Sequence, residues 1–416
     1  MLTGRRGLLT PWPWPGACWP GLAVGTTAAR GPRGLLELAR MVPGFIGWKL
    51  GVYRRMTSGE ASAEWRRTPH RDRGAAMRVL VTGHEGYIGA VMTEVLGAAG
   101  HEVVGLDSGL YVGCDLGPAP RPVPTIGGDV RDVTVGDLRG LDAVVHLAAI
   151  SNDPIGELNT DVTYDINHRA SVHLAELAKA AGVQRFVFAS SCSLYGASEG
   201  GQMLDESAEF LPVTAYGESK VLAEAGISAL ADDAFSPTHM RNATVFGVSP
   251  RLRGDVVVNN LTGIAFATGK VHLKSDGSPW RPLVHVRDVC RVARAILEAP
   301  RELVHGVAMN GPQRPQPPHP RGGRDRGGRR ARFSLSFAEG AGPDLRNYRA
   351  DCGLLARLLP HAVPAMTVAD GVTELLEAFA RFGLTAQDLE GPRFTRLARI
   401  RELTAAGELD GALHRA

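Results

Sequence analysis

From residue 77 onward the chain alternates short β-rich hydrophobic runs with longer helical stretches. Arg78 to Thr82, Glu102 to Leu106, Ala143 to Leu147, Arg185 to Ser190 and Thr238 to Ala243 read as strands. Ala90 to Ala99, Arg169 to Ala181 and Ala215 to Leu230 read as helices. Strands separated by helices of that length imply βαβ crossovers, and therefore an α/β domain with a doubly wound parallel sheet covered on both faces.

The first strand runs into Thr82-Gly83-His84-Glu85-Gly86-Tyr87-Ile88-Gly89 and then a helix. Glycines at that point let the chain turn tightly and let a pyrophosphate approach the backbone amides, while the helix N-terminus supplies partial positive charge. Asp107 closes the second strand eighteen residues beyond Gly89. A carboxylate there accepts the ribose hydroxyls and repels a 2′-phosphate, so the pattern predicts a Rossmann-type domain that takes NAD in preference to NADP.

Composition adds an asymmetry. Of 416 residues, 44% are hydrophobic and 21% charged, as in ordinary globular proteins, and no apolar run is long enough to span a bilayer. Residues 1–76 nevertheless carry twelve Arg and Lys against four Asp and Glu, leaving the remainder at −5 against the overall +3. That balance predicts no nucleic-acid partner. The same leader holds five of the six tryptophans, among prolines that interrupt the apolar core an export signal needs. It reads as disordered or mistranslated upstream sequence, with Met77 as the natural start. The five cysteines, Cys18, Cys114, Cys192, Cys290 and Cys352, show no CxxC or Cys/His clustering. They read as reduced thiols of a cytoplasmic protein, with no metal site. Residues 312–332 contain five Pro, seven Arg and four Gly but no Val, Ile, Leu, Met or Phe, so nothing there can bury a face. A local frameshift or a disordered insert accounts for such a stretch.

Tyr216 and Lys220 stand at i and i+4 in Tyr216-Gly217-Glu218-Ser219-Lys220 and share one helix face. An ammonium beside a phenol lowers its pKa from about 10 toward working pH, which makes Tyr216 a candidate general base. A Y-x-x-x-K alone is usually a solvated helix face. Here it follows the glycine fingerprint and the strand end Ser190-Ser191-Cys192-Ser193-Leu194-Tyr195-Gly196, and the combination favours catalysis.

These residues together resemble the extended short-chain dehydrogenase/reductases that act on nucleotide sugars, an NAD-dependent epimerase/dehydratase family that includes UDP-glucose 4-epimerase. The resemblance covers nearly all of 77–311 and resumes around 337–383. It implies that Gly83, Gly86, Tyr87, Ile88 and Gly89 hold the cofactor pyrophosphate, with Asp107 on the ribose. It assigns Asp129 and Val130, in Gly128-Asp129-Val130-Arg131-Asp132, to the adenine. Leu147, Ala148 and Ala149, after His146, would lie beside the cofactor ribose, and Asn167 matches the asparagine that opens the next helix. Ser191 would hydrogen-bond the reacting sugar oxygen, and Lys220 would also hold the nicotinamide ribose. Asn260 and Arg281 match a clamp for the nucleotide diphosphate. Arg251 and Arg253 are candidate helpers, with solvent-exposed charge an equal alternative. His146 reads as a satisfied core histidine and Tyr195 as a packing residue.

The family's 4,6-dehydratases carry an Asp-Glu pair where this chain has Cys192 and Ser193, so dehydration is disfavoured. In relatives that use a loop cysteine, the thiol stands at the position of Ser193, so Cys192 reads as a small buried residue, with an acid/base role as the lesser alternative. Thr244, where 4-epimerases usually have asparagine, leaves the sugar open. The resemblance implies an NAD-dependent nucleotide-sugar epimerase, acting by transient oxidation of a sugar carbon and assembled as a homodimer. The alternatives are an NAD(P)H-dependent keto-sugar reductase or a non-catalytic NAD-binding protein. The expected organisation is the leader 1–76, an NAD-binding domain 77–246, a substrate-binding region 247–383 interrupted at 312–332, and a helical extension 384–416.

Overall fold

The computed structural model describes residues 76–415, apart from 152, 157–158, 197–202, 274–280, 312–333 and 338–347. The basic leader, the Pro/Arg/Gly stretch 312–332 and most of the Gly342–Tyr348 segment therefore lie outside the described residues.

Seven parallel strands form the main sheet: β1 (Arg78–Thr82), β2 (Glu102–Asp107), β3 (Thr125–Gly127), β4 (Ala143–His146), β5 (Arg185–Ser191), β6 (Ser236–Asn242) and a last strand, Ala308–Asn310. Their order is Ala308–Asn310, β6, β5, β4, β1, β2, β3, so the chain winds outward in both directions from β1 and β4. Pairing puts Val79 opposite both Val103 and Ala143. Successive side chains of β1 serve opposite faces. Val79 and Val81 join the core that holds Val91, Met92 and Leu96 of α1 (Tyr87–Ala98), whereas Leu80 joins Leu174 and Ala178 of α2 (Ala170–Ala180) and Ala223 and Ile227 of α3 (Ala215–Ser228). Both faces being covered, the central strands are buried along their length, as the doubly wound reading requires.

Two sheet strands escaped the sequence pattern. β3 and Ala308–Asn310 are three residues each, too short to show a period, and β3 is the partly exposed edge.

Beyond β6 a smaller unit is built on β7 (Thr244–Phe246), α4 (Val257–Thr268) and β8 (Leu283–His285), the two strands pairing in parallel. α5 (Val286–Glu298) returns from β8 to the α1 face of the main sheet, and the last sheet strand is β9 (Ala308–Asn310). α6 (Val368–Phe382) closes the smaller unit, its Leu375 and Phe379 joining Phe246, Leu252 and Phe394 in one core. Thr367 and Asp370 cap α6 reciprocally, and Gly383 ends it at φ 69°. α7 (Arg396–Ala405) contributes Ile400 and Leu403 to a separate cluster with Ile155 and Leu409. Among the described residues no helix is long and apolar enough to cross a membrane, no group of His, Cys, Asp and Glu could hold a metal ion, and the four cysteines are free.

Candidate active site

The glycine turn has a steric reason for each of its three glycines. Gly83 sits at φ 72°, and a Cβ there would lie 2.9 Å from the Ala148 nitrogen; at Gly89 it would lie 2.0 Å from the Gly83 oxygen, and at Gly86 3.0 Å from the same atom. A side chain at any of the three would press on the backbone of the turn or of the β4 strand end. The first helical hydrogen bond runs from Ala90 N–H to Gly86 O at 3.0 Å, which puts the amides of Tyr87, Ile88 and Gly89 at the mouth of α1. The Tyr87 hydroxyl is directed elsewhere: it donates to Gly247 O at 2.7 Å and accepts from Asn259 at 3.1 Å, so the Tyr87 main chain is what remains at the cradle.

Asp107 accepts amide hydrogens from Glu85 at 3.0 Å and Gly109 at 2.8 Å. Burial pushes its carboxyl above the usual carboxylate range, against those two donors. Thr82 Oγ1 accepts from the amides of Leu147 and Ala148, both at 3.1 Å, and meets His146 Nδ1 at 2.7 Å. His146 Nε2 meets Ser171 at 2.8 Å, and burial holds its pKa down at about 3, so the ring is a neutral core histidine. Asn167 is fully buried and pins both main-chain groups of Ile150, at 2.8 and 2.9 Å, so it shapes the β4 strand end through the backbone. Asp129 is gripped by the Arg131 guanidinium at 2.8 Å; burial opposes its charge, and Arg131 outweighs burial to hold the carboxyl low. The Val130 side chain belongs to the core. A glycine cradle at a helix mouth, with a carboxylate closing the neighbouring strand, fits a dinucleotide with free ribose hydroxyls.

Thr214 caps α3 by accepting from Gly217 N–H at 3.2 Å, which places Tyr216 in the first turn, half-buried. Lys220, one turn on, is 2% exposed. Its ammonium donates to Ala189 O on β5 at 2.9 Å, lies 4.6 Å from the Phe188 ring centre and 5.9 Å from that of Tyr216. Burial pulls Lys220 down from 10.5 to about 7, with Glu224 pulling the other way. At the end of β5, Ser191 and Ser193 share a hydroxyl–hydroxyl bond of 2.8 Å, and Tyr348 is bonded to Ser193. Cys192 points into the core instead, its thiol 3.0 Å from Arg241 O and pushed well up by burial. Arg281 exerts its field on the Tyr348 phenol. Asn260 donates to Gly254 O at 2.7 Å, while Asn259 is fully buried and binds Gly247 N–H and Arg253 O.

Arg251 and Arg253 are not the solvent-exposed charges of the alternative reading. Arg251 is buried and paired with Glu85 and Asp115. Arg253 pairs with Asp255 at 2.8 Å and reaches Ser151 at 3.0 Å. Both charges are used to join loops within the protein.

The largest feature that sequence reasoning missed is a buried ion pair behind the site. Arg241 of β6 binds Glu224 of α3 through two nitrogens, at 3.1 and 2.8 Å, and donates to the Tyr195 hydroxyl at 3.1 Å. Tyr195 donates to Asn310 at 2.6 Å, and Asn310 donates to Leu204 O and Asp351 O. This chain ties α3 to the segment that carries Tyr348. One signal was available: Glu224 lies a further helical turn from Lys220, among the apolar positions of α3.

The profile of the NAD dependent epimerase/dehydratase family matches residues 79–310. The chain is 27% identical over 316 residues to a Bacillus subtilis (strain 168) protein described as an uncharacterized UDP-glucose epimerase, YtcB, covering 71% of this chain and 96% of that one. Among solved structures, MoeE5 in complex with UDP-glucuronic acid and NAD is 26% identical with a TM-score of 0.58, covering 73% of this chain and 99% of its own. DesIV, a dTDP-glucose 4,6-dehydratase from Streptomyces venezuelae with NAD bound, is 25% identical with a TM-score of 0.59, covering 75% and 100%. A family profile that spans the glycine cradle, the Ser191 strand end and the Tyr216–Lys220 helix makes this chain a member of the NAD dependent epimerase/dehydratase family.

Proposed function

We propose that the protein is an NAD-dependent nucleotide-sugar epimerase in which Tyr216 is the general base. The observation that carries this reading is the buried ammonium of Lys220 5.9 Å from the Tyr216 ring centre and bonded to β5, whose end carries Ser191 bonded to Ser193, with no carboxylic acid at positions 192 and 193.

NAD, when bound, supplies the reversible two-electron acceptor that oxidation of a sugar carbon requires. Ser191 orients the reacting hydroxyl and Tyr216 Oη takes its proton as that carbon becomes a carbonyl. Lys220 stabilises the phenolate by its charge. The keto sugar then presents its other face, and Tyr216 returns the proton when the carbon is reduced. Expulsion of a neighbouring hydroxyl needs an acid to protonate the leaving group, and the loop offers the sealed thiol of Cys192 and the hydroxyl of Ser193. Arg281 and Asn260 bind the diphosphate of the substrate, for which a guanidinium fork is suited. The UDP-sugar named for MoeE5 supports a nucleotide-diphosphate sugar as the substrate class.

Tyr216→Phe keeps the ring and removes the proton acceptor. The expected result is a kcat loss of roughly 10² to 10⁴ or more, with NAD affinity nearly intact. A variant that kept more than about a tenth of wild-type kcat would remove Tyr216 from the role.

A further inference from the structure

Residues 392–415 lie beyond the family-matched span; Phe394 joins the smaller unit's core, and many of the other contacts fall on one loop. They run along the loop that leaves Asp107. Cys114 meets Pro392 O, Arg393 donates to Asp115 O at 2.7 Å, and the Arg396 guanidinium covers the Tyr111 ring at 3.8 Å. Arg399 donates to Leu110 O at 3.3 Å, and Arg415 donates to Ser108 O at 3.3 Å and Gly109 O at 2.7 Å.

The last turn then crosses to the neighbouring strand ends. Arg131, beside Asp129, donates to Ala412 O at 2.7 Å, and Asn159 donates to Gly411 O at 3.3 Å. Ala412 and Leu413 pack against the core that holds Leu80, Leu106 and Val130, as Ile126, Ala148 and Ile150 also do. His414 adds its field to Asp129. The turn is specifically built. Asp410 accepts from the amides of Ala412 and His414, both at 2.8 Å, Leu409 bridges to Arg415, and Glu408 pairs with Arg415 at 2.9 Å. Leu413 sits at φ 60°, the one non-glycine residue with positive φ among the described residues, a conformation that persists only where surrounding contacts impose it.

One short segment thus touches the residues just past Asp107 and just past Asp129, and these two stretches border the adenosine half of the dinucleotide site. We propose that residues 408–415 form the outer wall of that half-site and retain the cofactor between turnovers. The proposal rests on the NAD reading of the groove. It gives this segment a chemical target, an adenine nucleotide, and a purpose suited to an enzyme that must reuse one cofactor molecule.

The test is the dissociation rate of radiolabelled NAD chased with unlabelled NAD. Three proteins are compared: the full chain, a chain ending at Gly407, and a full-length Leu413→Ala, Arg415→Ala double variant. Wall loss should speed dissociation by about tenfold or more in both altered proteins. Rates unchanged to within about twofold would overturn the proposal. So would slower dissociation, since the turn would then be obstructing the site rather than bordering it. Should the shortened chain fail to fold, the double variant decides alone, with circular dichroism confirming its fold. A full chain that binds no NAD at all would instead overturn the cofactor reading on which the proposal rests.

Discussion

Replacing Lys220 by Met should stabilise the nucleotide-free protein while destroying turnover. Lys220 is buried, and burial lowers its pKa from 10.5 to about 7. The unfolded chain therefore binds a proton that the folded chain releases between pH 7 and 10.5, so this residue makes stability rise with pH across that window. Below pH 7 the whole cost of the buried ammonium is present. At 1.36 kcal/mol per pKa unit that cost is about 5 kcal/mol at pH 6 and about 2 kcal/mol at pH 9. Met gives up the hydrogen bond to Ala189 O and the contact with the Phe188 ring, together worth about 2 kcal/mol. The net expectation is a gain of about 3 kcal/mol at pH 6 that falls to near zero at pH 9. Urea unfolding of charcoal-treated, nucleotide-free protein at the two pH values measures both numbers. A Met variant less stable than wild type at pH 6, or a difference that does not change with pH, would refute the reasoning.

Asp107 should make NAD bind more tightly than NADP, and Asp107→Asn should raise the NADP-to-NAD affinity ratio by about tenfold or more; equal wild-type affinities by calorimetry at fixed ionic strength would contradict this. Glu224→Gln leaves the Arg241 guanidinium buried without its charge partner, so unfolding free energy should drop by about 3–5 kcal/mol, and a loss under about 1 kcal/mol would show the pair to be dispensable. Gly89→Ala puts a Cβ 2.0 Å from the Gly83 oxygen, so NAD affinity by calorimetry should fall sharply; unaltered affinity would mean that the turn has room the structure does not show.

What could be read from the chain divides along a physical line. β1, with Val79, Leu80 and Val81 buried on both faces, announces itself by composition, and the glycine turn by spacing that only a strand–turn–helix passage requires. β3 and β9 are placed by tertiary pairing, with three residues each and no periodic signal. The same limit governs the charges. Arg241 and Glu224 are seventeen residues apart and meet only because β6 and α3 pack together, and Arg251 finds Glu85 across 166 positions. Nothing local distinguishes Asn259, fully buried, from its partly exposed neighbour Asn260. The helical pattern of the final segment was legible, whereas its partners lie some three hundred residues upstream.

The central claim is tested most directly by incubating the purified protein, without added reduced cofactor, with a panel of nucleotide-diphosphate sugars deuterated on the ring carbons. One sugar should be converted to its epimer with the deuterium retained, no water eliminated and no net production of reduced cofactor. Stoichiometric production of reduced cofactor would instead make the protein a dehydrogenase, and release of a deoxy keto sugar would make it a dehydratase; either result contradicts the epimerase reading.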